Sequence, residues 1–528
     1  MPVDNGSLRP VDRADHGPSA IADAGVGQSD WAGHAECVTD RDQDLLRPDL
    51  WKLLLPAIKA ARKAGRDYAG SGRYVPRQTL TKYEQNDAGW PQVTSDRILG
   101  PKSDLMDWSD LFGFKEGGGT TILISDVPEL AGAVREISGR AMEDDALLRG
   151  VSRLAQLDGP ESFEETREQV EFEAVRTLIG RILNRADAVG AETDEGLRSI
   201  YQQIERARFS EKLTGDVIVP LVAASFDADE PLHIDGNAWI EPLTEADHRV
   251  RALSWIQQDV SPYVAAAATH AVVLRDVQFT NQVHTLPRSR EWPSEISTDL
   301  AHAVAEAVYI VTEIPTGFAQ ILVRPRDWAA DWTQDLPPLW SAWTGRAYPE
   351  DLNDREWAKE RTPIQATESD EIVRIAKALK TADKKVAIAA RRCRRTSFRD
   401  DLEDVILDLA IGIEALVGKE TDALTHRMAQ RAAIALADDL PPANTYSLVK
   451  QFYSIRSKIA HGDSPKKWTV MLGDEEFSAT WTGRYLLRSL LRSVLLADKP
   501  WDASSLDERM LERLERPEGY PIADPAEQ

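Results

Sequence analysis

One helix near the C-terminal end of the chain decides how its last third folds. Its final turns read FYSIRSKIAHGD over residues 452–463. Arranged at about 100° per residue, the apolar side chains fall on one face of a helix at 444–461. The apolar residues are Val449, Phe452, Tyr453, Ile459 and Ala460. Arg456 lies inside that face, so the pattern predicts a guanidinium that enters a core or an interface.

A guanidinium in such a place is costly unless an anion neutralises it. Glu414 is the candidate partner, because it lies in LAIGIEAL (residues 409–416), a helical segment that is apolar over most of its circumference. The two patterns together predict a buried ion pair between Arg456 and Glu414.

His461 ends the same helix, directly before Gly462, where a C-terminal cap belongs. The negative end of the helix dipole favours an imidazolium there and is expected to raise the pKa of His461. Arg456 and His461 are separated by about 140° around the helix. One helix cannot bring these two side chains together, whereas two copies related by a dimer axis can.

The sequence around this helix is helical from residue 371 almost to the end of the chain. Periodicity predicts five main helices and a short one, at 371–396, 400–417, 422–438, 444–461, 474–496 and 504–515. Gly418 and Gly462 follow two of them as predicted caps.

The first of these helices is strongly basic, although the chain as a whole carries a net charge of −24. Ten basic residues and one acid, Asp383, lie between Arg374 and Arg399. A basic helical face can follow a phosphate backbone; the same pattern also suits a solvated face paired with acids from elsewhere in the chain. The residues predicted to bind RNA are Lys377, Lys384, Arg391, Arg392 and Arg395, with Lys458 from the later helix.

Arg-x4-His-Gly at the end of a helix resembles the signature of the HEPN superfamily, and the wider pattern resembles its Apea-like branch. Three segments in order carry the resemblance: LEDVILDLAIGIEAL (402–416), LTHRMAQRAA (424–433) and the stretch from Tyr453 to Gly462. HEPN domains are four- or five-helix bundles that pair about a two-fold axis. Many are metal-independent endoribonucleases of toxins and phage-defence systems.

The resemblance implies that Arg456 and His461 are catalytic, that Glu414 orients Arg456, and that RNA is the substrate. It also implies a homodimer, an antitoxin or defence-system partner, and no cofactor. Ser457 follows Arg456, where active members often have Asn, Asp or His. The alternative is therefore a non-catalytic HEPN module for dimerisation and for binding RNA or protein. A third interpretation is an acidic scaffold that binds protein through its Trp-rich segment.

The expected fold class is multidomain α+β, with a mixed α/β N-terminal and middle region followed by an all-α C-terminal HEPN bundle. The expected segments are a disordered arm (1–43), an irregular, mostly helical region (44–214), a mixed α/β domain (215–327), a Trp- and Pro-rich linker (328–370), the bundle (371–516) and a disordered tail (517–528). Strands are predicted at 217–226, 271–280, 308–314 and 318–325, with an Asp-Gly hairpin at 232–240 and a capping box at 244–247. The linker region contains five of the fifteen tryptophans, which suits either packing or a platform for bases.

Composition limits the classes of function. An acidic chain repels nucleic acid and anionic membranes, so an RNA site must be a local basic patch. The two cysteines, Cys37 and Cys393, cannot form a disulfide framework or a four-thiolate zinc site, and they fit a reducing cytosol. The sequence shows neither a signal-peptide core nor an apolar run of the roughly 20 residues that span a bilayer. A cytoplasmic protein without metal or membrane contact is expected.

Overall fold

A computed structural model gives the fold of the chain. It describes residues 44–79, 82–94, 102–114, 122–151, 170–254, 262–281, 293–329, 339–341, 348, 356–419, 424–463, 465 and 467–514. The predicted arm at 1–43 and tail at 517–528 lie outside these residues.

The N-terminal part, up to residue 209, consists of helices joined by short strand pairs. Its helices are α1 (Pro48–Gly70), α2 (Pro128–Ala141), α3 (Asp145–Val151), α4 (Arg181–Val189), which follows a π-helical stretch at Val175–Gly180, and α5 (Asp194–Phe209). Its strands are β1 (Arg77–Thr79), β2 (Lys82–Gln85), β3 (Pro91–Thr94), β4 (Lys102–Met106), β5 (Phe112–Gly113) and β6 (Ile122–Leu123). They pair β1 with β4, β2 with β3 and β5 with β6. The prediction of a mostly helical region at 44–214 missed β1 to β5, because such short runs show no clear alternation.

The N-terminal part has its own hydrophobic core. Leu54 and Ile58 of α1 are fully buried, and α1 packs against α2, α4 and α5. Gly65 allows the close approach of Trp108, since a Cβ at this position would lie 2.3 Å from the indole ring. The backbone N–H of Trp108 donates to Asn184 Oδ1 at 2.7 Å, which joins the strand region to α4.

An antiparallel sheet of six strands follows, in the order β12-β11-β7-β10-β9-β8. The strands are β7 (Lys212–Val222), β8 (Leu232–Asp235), β9 (Ala238–Pro242), β10 (Ala268–Thr280), β11 (Gln320–Pro325) and β12 (Leu339–Ser341). Helices α6 (Glu245–Ser254), α7 (Pro262–Ala266) and α8 (Asp299–Thr312) lie between them in sequence. The predicted strands near 217–226, 271–280 and 318–325 and the hairpin are confirmed. Gly236 has φ of +53° at the hairpin turn.

The capping box is also confirmed at the start of α6. The Asp247 backbone N–H donates to Thr244 Oγ1 at 3.2 Å, and the Thr244 backbone N–H donates to Asp247 Oδ2 at 2.9 Å.

The strand predicted at 308–314 is wrong, because residues 308–312 belong to α8. This helix packs against β10 and against three helices of the C-terminal part. Val304 and Val308 lie one turn apart on one face of it and Ile310 lies on roughly the opposite face, yet all three are fully buried. A helix that is apolar on nearly every side lacks the polar stripe that reveals a helical period, so its VYIV run resembles a buried strand.

The C-terminal part is a set of packed helices with one β-hairpin. The helices are α9 (Ala366–Lys380), α10 (Lys384–Arg395), α11 (Leu402–Val417), α12 (Leu424–Ala435), α13 (Pro442–Ala460), α14 (Ala479–Leu495) and α15 (Ala503–Leu514). Strands β13 (Thr469–Leu472) and β14 (Glu475–Ser478) form the hairpin. The region predicted as all-α at 371–516 therefore contains two strands, and its first helix begins at Ala366.

The single basic helix predicted at 371–396 is two helices. The break lies between Lys380, the last residue of α9, and Lys384, the first residue of α10. Asp383 caps α10: its Oδ1 accepts from the backbone N–H groups of Lys385 at 2.6 Å and Val386 at 3.1 Å. An Asp that bonds its own following backbone favours a helix start over a helix interior. The basic residues therefore lie on two helices and do not form one continuous face.

The sheet and the C-terminal helices share one hydrophobic core. It includes Ile321 of β11, Val304 of α8, Ile372 of α9 and Leu409 of α11. Trp328, at the start of the predicted linker 328–370, is buried in the same core, and its Nε1–H donates to the Thr214 carbonyl at 2.7 Å. The linker therefore does not separate two cores. Within the described ranges, no helix combines the length and apolarity that a membrane crossing requires.

Candidate functional site

Arg456 of α13 and Glu414 of α11 form the predicted ion pair. Arg456 Nη2 lies 3.2 Å from Glu414 Oε1. The two side chains are 33% and 32% exposed, so the expectation of a fully buried pair is wrong. Ile455 is buried, whereas Ala460 is exposed, which shifts the apolar face of α13 away from the predicted one. The guanidinium therefore lies at the edge of the core, where a ligand or a second protein surface can reach it.

The neighbouring residues fix the position of this pair. Tyr453, one turn before Arg456, is buried and donates its hydroxyl to the Ala410 carbonyl on α11 at 3.1 Å. Burial raises the pKa of Tyr453, and the charge of Glu414 raises it further, so the neutral phenol anchors α13 against α11. Arg456 Nε is buried and has no hydrogen-bond partner among the described residues. This N–H is enclosed by protein atoms, so only the exposed third of the Arg456 side chain is open to a ligand.

His461 is the C-terminal cap residue of α13 and is exposed. The Gly462 N–H donates to the Ile459 carbonyl at 3.0 Å, and the Asp463 N–H to the Lys458 carbonyl at 2.9 Å. This is a Schellman motif, and Gly462 has the φ of +79° that it requires. The predicted glycine cap is confirmed. The His461 imidazole makes no hydrogen bond or ion pair with another described residue, so it is available to a ligand.

A buried carboxylate organises three of the basic residues. Asp408 of α11 is 4% exposed and is contacted by three arginines. Arg392 donates to Asp408 Oδ1, Arg399 Nε donates to Oδ2 at 3.1 Å, and Arg395 Nε lies 3.9 Å from Oδ2. The sequence pattern allows two roles for these residues, RNA binding or pairing with acids of the same chain. For these three arginines the structure supports pairing.

The other basic residues divide into paired and exposed ones. Lys377 and Lys380 lie 3.8 and 3.2 Å from Asp235 of the β8–β9 hairpin. Lys384, Arg391 and Lys458 are exposed, and none of them makes an ion pair within the described part of the chain. They are the predicted RNA-binding residues that remain open to an external anion.

Sequence analysis missed Asp408 and a second buried acid, Glu306. Asp408 interrupts the apolar run LDLAIGI, and an acid inside that run was the available signal. Glu306 of α8 is 9% exposed. Burial raises its pKa to about 7, although Arg394 and Arg391 of α10 act in the opposite direction. Because the end of α8 was predicted as a strand and no helix was predicted at Glu306, the proximity of Glu306 to α10 could not be foreseen.

The described residues contain no group of three or more His, Cys, Asp or Glu side chains that is placed to bind a metal ion. His233 and Asp235 do not act together: a His233 ring nitrogen lies 3.1 Å from the Gly236 carbonyl, and Asp235 pairs with the two lysines of α9.

In comparisons with known proteins, the chain matches no protein-family model, no curated protein and no solved structure.

Proposed function

We propose that the chain is a HEPN-type, Apea-like, metal-independent endoribonuclease effector of a toxin or phage-defence system, with an N-terminal region that senses its trigger. The observation that carries the proposal is the Arg456–Glu414 pair. It lies at the edge of the core and leaves about a third of the Arg456 side chain exposed, on the same helix that ends in an exposed histidine.

The proposed chemistry follows from these three side chains. The 2′-oxygen of RNA attacks the adjacent phosphorus, and the bond from that phosphorus to the 5′-oxygen of the next nucleotide breaks. His461 takes the proton of the 2′-hydroxyl or returns one to the departing 5′-oxygen, which an imidazole can do near neutral pH. Arg456 stabilises the charge that grows on the phosphorane oxygens. Glu414 fixes the orientation of the guanidinium. These steps need only the three protein groups, and the proposed products are 2′,3′-cyclic phosphate ends.

The proposed site is completed by a second copy of the chain. Arg456 faces α11, whereas His461 projects from the exposed end of α13. Ser454 and Ser457 are exposed on the outer side of α13, so small polar side chains there allow the close approach of a second copy. A homodimer through α13 would bring Arg456 of one copy near His461 of the other.

RNA would be held by cations that the chain does not neutralise. Lys384, Arg391 and Lys458 meet that condition. Arg392 and Arg395 belong to the Asp408 cluster and Lys377 to the Asp235 pair, so their proposed contribution to RNA binding is smaller. Because the chain as a whole is acidic, RNA binding is then limited to these exposed cations.

The alternative proposal is a non-catalytic HEPN module that dimerises and binds RNA or protein. One observation favours it: Arg456 is paired with Glu414 inside a single copy, as a purely structural pair would be. In that case Arg456 stabilises the packing of α13 against α11, and His461 is part of a binding surface without a catalytic role. The acidic-scaffold interpretation has less support, because Trp328 is buried in the core.

Incubation of purified full-length protein with single-stranded and structured RNA, with and without EDTA, tests the proposal. The expected result is cleavage that survives EDTA, leaves 2′,3′-cyclic phosphate ends and disappears in His461→Ala. His426→Ala is the matched control, because His426 is an exposed histidine of the same bundle. Equal cleavage by the wild type and His461→Ala would contradict the catalytic role. Binding of RNA without any cleavage would favour the alternative.

A further inference from the structure

A cleft of about 380 Å³ lies between α1, the loop after α4 and the start of α5. It is far in sequence from the proposed nuclease site. Its charged lining residues are Lys59, Arg62, Lys63, Arg66, Asp67 and Glu192, and its apolar ones are Ile58 and Leu197. The four cations fall at positions i, i+3, i+4 and i+7 of α1, so they share one face of that helix.

Two of the four cations are neutralised by the rim of the cleft. Lys59 Nζ lies 2.7 Å from Asp194, the first residue of α5, and Arg66 Nη2 lies 3.0 Å from Glu192. These contacts tie α1 to the turn before α5. Both carboxylates at this turn, Glu192 and Asp194, are therefore already in ion pairs.

Arg62 and Lys63 are not neutralised in this way. Arg62 Nη2 donates to the Ala191 carbonyl at 3.0 Å, and its Nε is buried without a hydrogen-bond partner among the described residues. Burial lowers the pKa of Arg62, and the charges of Asp187 and Glu192 raise it without offsetting the burial. Lys63 is exposed and makes no ion pair within the described ranges.

The N-terminus of α5 adds to the positive field. Thr193 caps this helix, with its Oγ1 accepting from the Gly196 N–H at 3.1 Å, so the positive end of the helix dipole lies at the same rim. Asp67 is the opposing group: its exposed carboxylate lines the cleft and lowers its attraction for an anion.

We propose that this cleft binds a small phosphate-bearing molecule, with the Arg62 guanidinium and the Lys63 ammonium as its main contacts. A guanidinium presents two parallel donors that match the oxygens of a phosphate, and an ammonium adds a point charge. Two cations without a carboxylate partner match a phosphate monoester dianion better than a single carboxylate. The volume of the cleft is within the range of small-molecule sites. The inference is independent of the proposed nuclease activity.

Isothermal titration calorimetry of the full-length protein with inorganic phosphate, adenosine monophosphate and adenosine tests this site. Both phosphates are expected to bind and the neutral nucleoside is not. Lys63→Ala should weaken binding about tenfold, as for the loss of one charge-assisted hydrogen bond, without loss of thermal stability. Arg62→Ala should abolish binding. Lys212→Ala is the control, because Lys212 is an exposed lysine outside the cleft.

Asp67→Asn tests whether the ligand is an anion, and a folding defect cannot produce the expected result, which is tighter binding. Removal of this carboxylate should tighten phosphate binding several-fold if the ligand is an anion at this cleft. Unchanged affinity in Asp67→Asn and Lys63→Ala would overturn the assignment of the site. A second result would also overturn it: neither phosphate binds, whereas a single-stranded RNA oligonucleotide binds and loses affinity in Lys63→Ala. The cleft would then be part of a nucleic-acid surface.

Discussion

Replacement of Glu306 by Gln should change how the stability of the protein depends on pH. Burial raises the pKa of Glu306 from an ordinary 4.5 to about 7, so the folded state binds its proton more tightly than the unfolded state does. The stabilising contribution is complete below about pH 4.5 and is lost as the pH rises through about 7. At about 1.4 kcal/mol per pKa unit, the full loss is roughly 3 kcal/mol, because the carboxyl is only 9% exposed and solvent screens it little.

The measurement is urea unfolding of the wild type and Glu306→Gln at pH 5 and pH 8. The stability of Glu306→Gln relative to the wild type should rise by about 2.5 kcal/mol between the two pH values. His302, on the same face of α8, has its pKa lowered to about 4 by burial, so its titration acts in the opposite direction. It is present in both proteins and cancels in the comparison.

Glu508→Gln is the control, because Glu508 is an exposed glutamate on α15; its pH dependence should equal that of the wild type. If Glu306→Gln and the wild type changed in parallel from pH 5 to pH 8, then Glu306 would be ionised in the folded protein throughout. The reasoning about its burial against α10 would be refuted.

Three further outcomes follow from packing and charge. Asp408→Asn removes the carboxylate that three arginines share and should lower the free energy of unfolding by about 2 kcal/mol, measured by chemical denaturation; an unchanged value would show that the cluster is only superficial. Gly65→Ala places a Cβ 2.3 Å from a buried indole and should cost about 1–3 kcal/mol; a wild-type melting temperature would contradict the packing of α1. Charge reversal of Lys384, Arg391 and Lys458 to Glu should weaken RNA binding and its salt dependence in fluorescence anisotropy, and unchanged affinity would exclude this patch.

The ion pair of the candidate site was predictable from sequence because it follows from helical periodicity alone. Arg456 and Glu414 each interrupt an apolar helical pattern, and unlike charges in two packed helices tend to meet. The degree of burial was not predictable. It depends on how α13 rotates against α11, and Ile455, which faces the core, was not assigned to the apolar face.

The larger errors have one cause, which is that periodicity in sequence does not record tertiary contacts. α8 is buried on nearly every side, so no polar stripe reveals its helical period. The break at Asp383 spans too few residues to disturb the amphipathic pattern on either side of it. The sequence pattern therefore predicts one basic face. Several of its residues instead form ion pairs with Asp408 or Asp235, and the pattern of the face itself does not reveal these partners.

The β8–β9 hairpin and the caps at Thr244 and Gly462 were predictable because local chemistry determines them. Gly236 and Gly462 both adopt positive φ, and Thr244 and Asp247 bond each other's backbone. These features depend on residues within a few positions of one another, so no distant contact can override them.

A mixing experiment with two inactive variants tests the central proposal most directly. If each active site combines Arg456 of one copy with His461 of the other, an equimolar mixture of Arg456→Ala and His461→Ala contains heterodimers with one intact site. RNA cleavage should then recover to about a quarter of the wild-type rate, although each variant alone is inactive. Arg456→Ala should cost only about 1 kcal/mol of stability, because the pair is about one-third exposed, so it should fold. Well-folded variants that exchange subunits without any recovery of cleavage would contradict a site shared between two copies.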